Sequence, residues 1–364
     1  MKNKNKNKNK NKCLCCGNER ELIVGTFNKR SSMSYPKAFD DLHIITCPQC
    51  EFSFTDKPIS KKVLDFYYQN LYTGTSIKSN VWSPYYVRSR FQYSDRSLAQ
   101  ITLLSQFITL NNKNILEIGS ATGDLQIDMA NRGYKINSYI VEPQTINSNW
   151  FNRNNITPIN VDVTDSNCFS QHDIKFDLVI MSHSLEHFNA ESIDNIFTNI
   201  YSILNDDGVF FVEVPNANLY LFDGDVERMA PHLSFFSERS LSLFMEKHGF
   251  SILYMGLFGN SQFKNLKDNE KSDNAAFNEF FLDDTGQVKI NKKTYSFDNK
   301  KSIKHIVFNI ASKLLILGGL GALIVKVKTL MAISDKKFLN FNNKEMILNN
   351  VDGEFLRIIG KKKE

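Results

Sequence analysis

ILEIGSATGDL, residues 115–125, runs from an apolar segment through two glycines into helix-forming sequence. The first part predicts a strand over Asn114–Ile118, and the last a helix over Gly123–Arg132 that Gly133 stops. Gly119 and Gly123 permit a tight turn and let a ligand come close to the backbone, at a helix N-terminus that favours anionic groups. Downstream the rhythm repeats. Strands are predicted at Ile136–Val141, Asn160–Val163 and Phe176–Met181, and Ile193, Ile196, Ile200 and Leu204 mark the helix before a fifth strand, Val209–Val214. Strand and helix in alternation build a parallel sheet covered on both faces. A helix over Ser237–His248, stopped by Gly249, and strands at Phe250–Leu257 and Glu354–Gly360 extend the unit. The sheet's last strand is therefore expected at the C-terminus, after an excursion over residues 258–350.

Nineteen residues beyond Gly123, Glu142 closes the second strand, where a carboxylate accepts both hydroxyls of a ribose. Together with the glycine turn this implies a nucleoside-containing cofactor. The dinucleotide fingerprint G-x-G-x-x-G/A fails, because Ala121 and Asp124 follow Gly119 where its second and third small residues belong. Glu117, two residues before the first glycine, would repel a pyrophosphate but suits a ligand with a free ammonium group, as S-adenosylmethionine has.

Ahead of the sheet stand two cysteine pairs, Cys13-x-x-Cys16 and Cys47-x-x-Cys50, separated by 30 residues. Each pair can grip one side of a tetrahedral Zn²⁺ with soft thiolates, leaving Cys15 as a spare thiol. Between Lys61 and Asn112 the pattern is helical: Tyr67, Leu71 and Tyr72 recur, then Leu98, Ile101, Leu104, Phe107 and Ile108 form a stripe after Ser94, a suitable N-cap. The net charge of +5 divides unevenly, with +6 in residues 1–12, −10 in 13–291 and +9 in 292–364. An acidic body between basic ends argues against a general polyanion-binding protein. The Lys/Asn repeat of Met1–Lys12 has no apolar region behind it, so a cytoplasmic protein with reduced thiols is expected. The longest uninterrupted apolar or Gly run, Leu314–Val325, is shorter than the roughly 20 residues needed to span a bilayer.

In ILEIGSATGDL (115–125), YIVEP (139–143), VDV (161–163), FDLVIMSHSLEHF (176–188) and LNDDGVFFVEVPN (204–216) the chain resembles the class I S-adenosylmethionine-dependent methyltransferases. CLCCGN (13–18) with CPQCEFSFTDKPIS (47–60) looks like the zinc-binding segment that precedes this domain in bacterial methyltransferases acting on sugars and surface polysaccharides. APHLSFFSERSLSLFMEKHGF (230–250) looks like their helix after the sheet, with its leading histidine. Ala121 and Glu51 stand where the group usually has glycine. The resemblance covers about residues 13–256 and 351–361 and leaves the excursion unmatched. It implies an α/β fold: a Rossmann-like class I methyltransferase sheet, mostly parallel with an antiparallel last strand, an N-terminal zinc-binding segment and a helical C-terminal insertion. It also implies that Glu117, Gly119 and Gly123, with Ser120 and Ala121 between them, hold the methionine moiety. Glu142 would hold the ribose, Asp162 with Val163 the adenine, and Ser182 would complete the cofactor contacts.

On the acceptor side His183, Glu186, His187 and His232 are the candidates, because an alcohol acceptor must lose a proton and a histidine is suited to take it. His187 and Glu186 equally suit a cap on the following helix. In a related quinone-biosynthetic subgroup an E-x-x-E-H cluster at this place binds a divalent cation; His183 here replaces its first acid. The chain thus divides into a disordered tail (1–12), a zinc-binding segment (13–60), a helical linker or lid (61–112), the methyltransferase domain (113–257), an insertion with apolar helices (258–350), and the last strand with a basic tail (351–364). The expected activity is methyl transfer from S-adenosylmethionine to a sugar or glycan hydroxyl in surface polysaccharide biosynthesis, with zinc structural. C-methylation of a nucleotide sugar is the alternative. RNA binding, suggested by Tyr85-Tyr86-Val87-Arg88-Ser89-Arg90, is disfavoured by the acidic body. Residues 303–333, with the run LLILGGLGALIV (314–325) between lysines, are expected either to rest on an anionic membrane surface or to pack as helices on the domain or a second copy.

Overall fold

The computed structural model describes residues 12–19, 23–27, 35–71, 97, 99–143, 148–217, 231–258, 274–282, 288–296, 348–349 and 355–363. Short extended runs ahead of the sheet form β1 (Ile23–Thr26), β2 (His43–Thr46) and β3 (Ser53–Thr55), and α1 spans Lys61–Asn70. The glycine turn then lies between β4 (Lys113–Ile118) and α2 (Asp124–Asn131), followed by β5 (Ile136–Val141), α3 (Ser148–Arg153) and β6 (Ile156–Pro158). The second half holds β7 (Phe176–Ser182), α4 (Ile193–Ile203), β8 (Leu204–Pro215), β9 (Ser234–Phe235), α5 (Glu238–Lys247) and β10 (Phe250–Phe258). Beyond it come β11 (Asn274–Leu282), β12 (Val288–Ser296), β13 (Leu348–Asn349) and β14 (Phe355–Lys362).

Seven strands make the central sheet in the order β10-β14-β8-β7-β4-β5-β6. The pairs β4·β5, β4·β7, β5·β6 and β7·β8 are parallel, whereas β14 runs antiparallel to both β8 and β10. This is the mostly parallel sheet with an antiparallel late strand that the resemblance implied. Its central strands are apolar on both faces because both faces are covered. On one side α4 buries Ile193, Ile196, Phe197, Ile200 and Ile203 at helical spacing, beside Leu241, Phe244 and Met245 of α5. On the other, Ile101 and Leu104 of a helical segment at 99–104 join Leu125 and Met129 of α2 against Ile115, Leu178, Ile180 and Phe211. Ser237 caps α5 reciprocally with Ser240, and Gly249 turns at φ +83°.

The third strand lies at Ile156–Pro158 rather than Asn160–Val163. Asp162 ends the extended run there, because its Oδ1 accepts the Thr164 amide at 2.9 Å and the Thr164 hydroxyl at 2.7 Å, folding the chain into a turn. The insertion also differs from expectation where it is described: β12, β11 and β13 form a three-stranded sheet, not helices. Residues 303–333, the basic aromatic stretch 85–90, Ser94, Tyr72, Leu98 and residues 1–11 lie outside the described residues. Among the described residues no helix is long and apolar enough to cross a membrane.

The N-terminal segment is built into the domain. β3 pairs with β2 on one side and β9 on the other, and Cys13, Cys15, Cys47, Cys50, Phe52 and Phe54 share a core cluster with α4, α5 and the sheet. Phe52 is fully buried, with ring centroids 5.3 Å from Phe236 and 5.1 Å from Phe244.

Candidate active site and cysteine centre

At the end of β4 the Glu117 carboxylate is buried, and its Oε2 has no hydrogen-bond partner among the described residues. Burial, reinforced by the nearby Asp124 and Glu142, pushes its carboxyl up to about 8. A ligand ammonium placed beside such a group would favour its ionised form. Gly119 and Gly123 turn at φ +74° and +70°, as the sequence required. Their missing side chains, however, make room for protein rather than ligand. A Cβ at Gly119 would meet Ser184 Cβ at 2.5 Å, and one at Gly123 would meet Ile156 Cδ1 at 2.8 Å. Ala121 holds a left-handed φ of +51°, and its amide donates to Glu142 Oε2 at 2.7 Å, tying the turn to the end of β5. Ser120 is buried, its Oγ without a partner among the described residues. These features fit an ammonium-bearing nucleoside ligand.

Asp162 and Val163 lie in the loop after β6, with Val163 buried. Burial alone would raise the Asp162 carboxyl, but Lys61 of α1, paired with Oδ2, and Thr164 hold it below the ordinary carboxylate range. The loop after β6 is thus fastened to α1. Ser182, at the end of β7, accepts from Gln100 at 2.8 Å and donates to Glu213 Oε1 at 3.4 Å.

The four cysteine sulfurs lie within 4.8 Å of one another, with Cys13–Cys50 at 3.5 Å and Cys16–Cys47 at 3.7 Å. A zinc tetrahedron with Zn–S near 2.3 Å has edges of about 3.8 Å, so the set fits a Zn²⁺ ion. The two pairs form matching knuckles. The Gly17 amide donates to Cys13 O at 2.9 Å and the Glu51 amide to Cys47 O at 2.8 Å. Both fourth residues are left-handed, Gly17 at φ +70° and Glu51 at +62°. Glu51 therefore adopts the conformation that glycine usually provides. Burial would raise the Cys47 thiol, but the Cys50 and Gln49 amides bring it down to about 7. Cys15 Sγ donates to the Ser240 carbonyl at 3.6 Å.

After β7 the chain crosses beside the glycine turn: Ser184 Oγ donates to Ile118 O at 2.8 Å, and the His187 amide donates to Ser184 O at 3.1 Å. The structure brings Glu186, His187 and His232 together, with ligand atoms within 4.8 Å of one another and the two imidazole centroids 5.0 Å apart. His232 arrives through backbone pairing, since the Leu233 amide donates to Glu186 O at 2.8 Å and the Thr55 amide to Leu233 O at 3.0 Å. The strand after the second cysteine pair thereby fixes the second histidine. Burial pushes the His187 imidazole below its ordinary value of 6.5, against the pull of Glu186, so the ring is neutral near pH 7. Burial opposes ionisation of Glu186, but His183, His187 and His232 hold its carboxyl down to about 2.

His183 lies 3.4 Å from Glu186 Oε1 and 3.1 Å from Glu213 Oε1, and Glu213 pairs in turn with Arg357 of β14. The sequence pattern did not single out Glu213, Arg357 or Tyr68, whose ring from α1 meets His187 edge-on at 5.6 Å. The only signals were a carboxylate inside a run of buried strand residues and an arginine inside another, 144 positions apart.

A family model described as a methyltransferase domain matches residues 88–254. None of the curated proteins matches the chain. Solved structures similar to it include a SAM-dependent methyltransferase from Archaeoglobus fulgidus, 16% identical, covering 74% of this chain and 94% of that one at a TM-score of 0.40. Another, from Thermotoga maritima, is 13% identical, covers 75% and 91%, and has a TM-score of 0.38. The magnesium protoporphyrin IX methyltransferase of Synechocystis PCC 6803 with bound SAH is 16% identical, covers 55% and 94%, and has a TM-score of 0.41. The family match, together with the sheet order and the glycine turn, carries the assignment.

Proposed function

We propose, from the premise that this chain is an S-adenosylmethionine-dependent methyltransferase, that it methylates a hydroxyl of a sugar or glycan during surface polysaccharide assembly. The supporting observation is a neutral, partly buried His187, set against Glu186 and His232 and linked through Ser184 to the glycine turn. Glu117 would hold the cofactor's ammonium, Glu142 the ribose, and Asp162 with Val163 the adenine side. When bound, S-adenosylmethionine supplies an electrophilic methyl group whose bond to sulfur breaks with the electron pair remaining on sulfur. His187 accepts the acceptor hydroxyl's proton as the oxygen forms its bond to carbon. Glu186 stabilises the resulting imidazolium, and His232 confines the hydroxyl on the other side. The four thiols would hold a structural zinc that keeps β3, and hence His232, in place. The sugar class rests on the resemblance of the cysteine segment to that of sugar-acting methyltransferases.

The test is transfer of labelled methyl from S-adenosylmethionine to a panel of nucleotide sugars, oligosaccharides, RNA and amines, with the product bond assigned by NMR. Label on a sugar oxygen is expected. Label on carbon, on nitrogen or in RNA would replace this reading.

A further inference from the structure

α1, which directly follows the cysteine-bearing segment, touches both the loop after β6 and the histidine cluster. Its start is fixed to the chain just beyond His187: Asn189 Oδ1 accepts from the Ile59 amide at 2.9 Å, and Asn189 Nδ2 donates to Ile59 O at 2.8 Å. Further along, Tyr67 is fully buried in a cluster with Phe39, Phe235 and Leu233, the residue next to His232. The helix is therefore packed on both histidine-bearing segments. Lys61 in its first turn pairs with Asp162, and Tyr68 meets His187. Seven residues are close to two helical turns, so these two contacts lie on one side of α1, about 10 Å apart along its axis.

The rings of Tyr68 and His187 have centroids 5.6 Å apart and planes at 79°. Tyr68 in turn packs edge-on against Tyr67 at 5.1 Å, so a fully buried ring backs the half-buried one. Edge-to-face geometry is a preferred arrangement of rings and resists rotation of either partner. Around His187, burial is the largest influence and disfavours the proton; Glu186 and the Pro231 carbonyl favour it, and the charge of His183 opposes it. His232 lies with its ring centroid 5.0 Å away. Tyr68 adds a ring to this enclosure, acting on the orientation of the imidazole and on its access to water.

We propose that Tyr68 is a positioning residue for methyl transfer, whose ring, held across the acceptor cluster by α1, sets the plane of the His187 imidazole and shields it from water. The helix after the cysteine-bearing segment then forms one wall of the acceptor site, and the segment serves the reaction from two directions: through β3 on His232 and through α1 on His187. This rests on the reading of His187 as the base.

The test compares three variants. Tyr68→Leu keeps an apolar filling without a ring; it is expected to fold and to bind S-adenosylmethionine as the wild type does. Its kcat should fall about tenfold or more with a smaller change in KM, because a misplaced group costs rate at the chemical step. Tyr68→Phe, which retains the ring, should keep most of the wild-type kcat. A readout without turnover is the pH titration of the His187 ring by ¹⁵N NMR in the free protein. Tyr68→Ala admits water to the imidazole and should move its titration upward, toward the ordinary 6.5, whereas Tyr68→Phe should leave it in place. Tyr68→Leu with kcat within about twofold of wild type overturns the proposal, as does an unmoved His187 titration in Tyr68→Ala. Tyr68→Phe as slow as Tyr68→Leu would place the effect in the hydroxyl and overturn it too. The reading of His187 fails separately, if His187→Ala keeps wild-type turnover.

Discussion

Glu117 is a carboxylate placed where its charge is unwelcome until a cation arrives. With its carboxyl raised from 4.5 to about 8, it is largely protonated near pH 7 in the free protein. A ligand ammonium bound beside it would convert it to carboxylate and release the proton. Calorimetry in buffers of different ionisation heat should therefore show proton release on S-adenosylmethionine binding near pH 7 and little near pH 9. Glu117→Gln should abolish the release and weaken binding by about 1.5–3 kcal/mol, the range for hydrogen bonds to charged groups. An unchanged proton count in the variant would contradict the assignment. His187 gives a second prediction of opposite sign. As the proposed base it would act in its neutral form, and burial depresses its pKa, so the acid limb of the rate should lie below the ordinary 6.5, with activity falling as pH drops through it. His187→Ala should lower turnover by about 10²–10⁴ while cofactor affinity holds. Loss of cofactor binding in parallel would make the residue structural. Both side chains were visible in the sequence, because strand ends and glycine turns announce themselves locally. The space beside Gly119 was not. Whether a missing Cβ faces ligand or Ser184 depends on a loop 65 residues on.

Among the elements, the cysteine knuckles and β3 carry more than their own stability. Each knuckle is closed by the same amide-to-carbonyl contact, and the second leads through Phe52 directly into β3. β3 pairs with β9 at Ser53↔Phe235 and Phe54↔Ser234, within three residues of His232. Cys47→Ser, or removal of the metal by a chelator, should thus lower the melting temperature and reduce turnover more than cofactor affinity. Elemental analysis of gently purified protein should find about one zinc per chain, as four thiolates in this geometry bind one ion. Equal loss of cofactor affinity and turnover would mean that the segment supports the whole domain rather than the acceptor side. The elements themselves were legible from apolar runs and helix stops, since β4, β5, β7, α4 and α5 each bury a continuous stripe or face. The third strand was misplaced because VDV looks as extended as ITP does. The difference lies in Asp162 bonding to Thr164.

For the whole molecule, the position of β14 shows how the chain is assembled. Phe258 and Phe355 are cross-strand partners at the ends of β10 and β14, so residues 259–354 leave and rejoin the sheet at one point. β14 then lies between β10 and β8, buries Leu356, Ile358 and Ile359, and brings Arg357 to Glu213. Pairing so distant in sequence is invisible to local pattern: an arginine in FLRII signals a strand with one polar residue, and only the assembled sheet supplies its carboxylate. The same geometry lets the two strands be joined directly. Replacing residues 259–354 by a two-residue Asn-Gly turn joins the partners as an ordinary antiparallel hairpin. The shortened protein is expected to stay folded, with S-adenosylmethionine affinity near that of the full chain. Deleting residues 355–364 instead should abolish folding, because it removes a central strand with three fully buried apolar side chains. Vesicle flotation with anionic lipid at low and high salt, and sedimentation, should then be compared between the full and shortened chains. If the segment 303–333 rests on membrane or joins two copies, the corresponding property disappears with the excursion while cofactor binding remains. Failure of the shortened chain to fold would instead make the excursion part of the domain's own core.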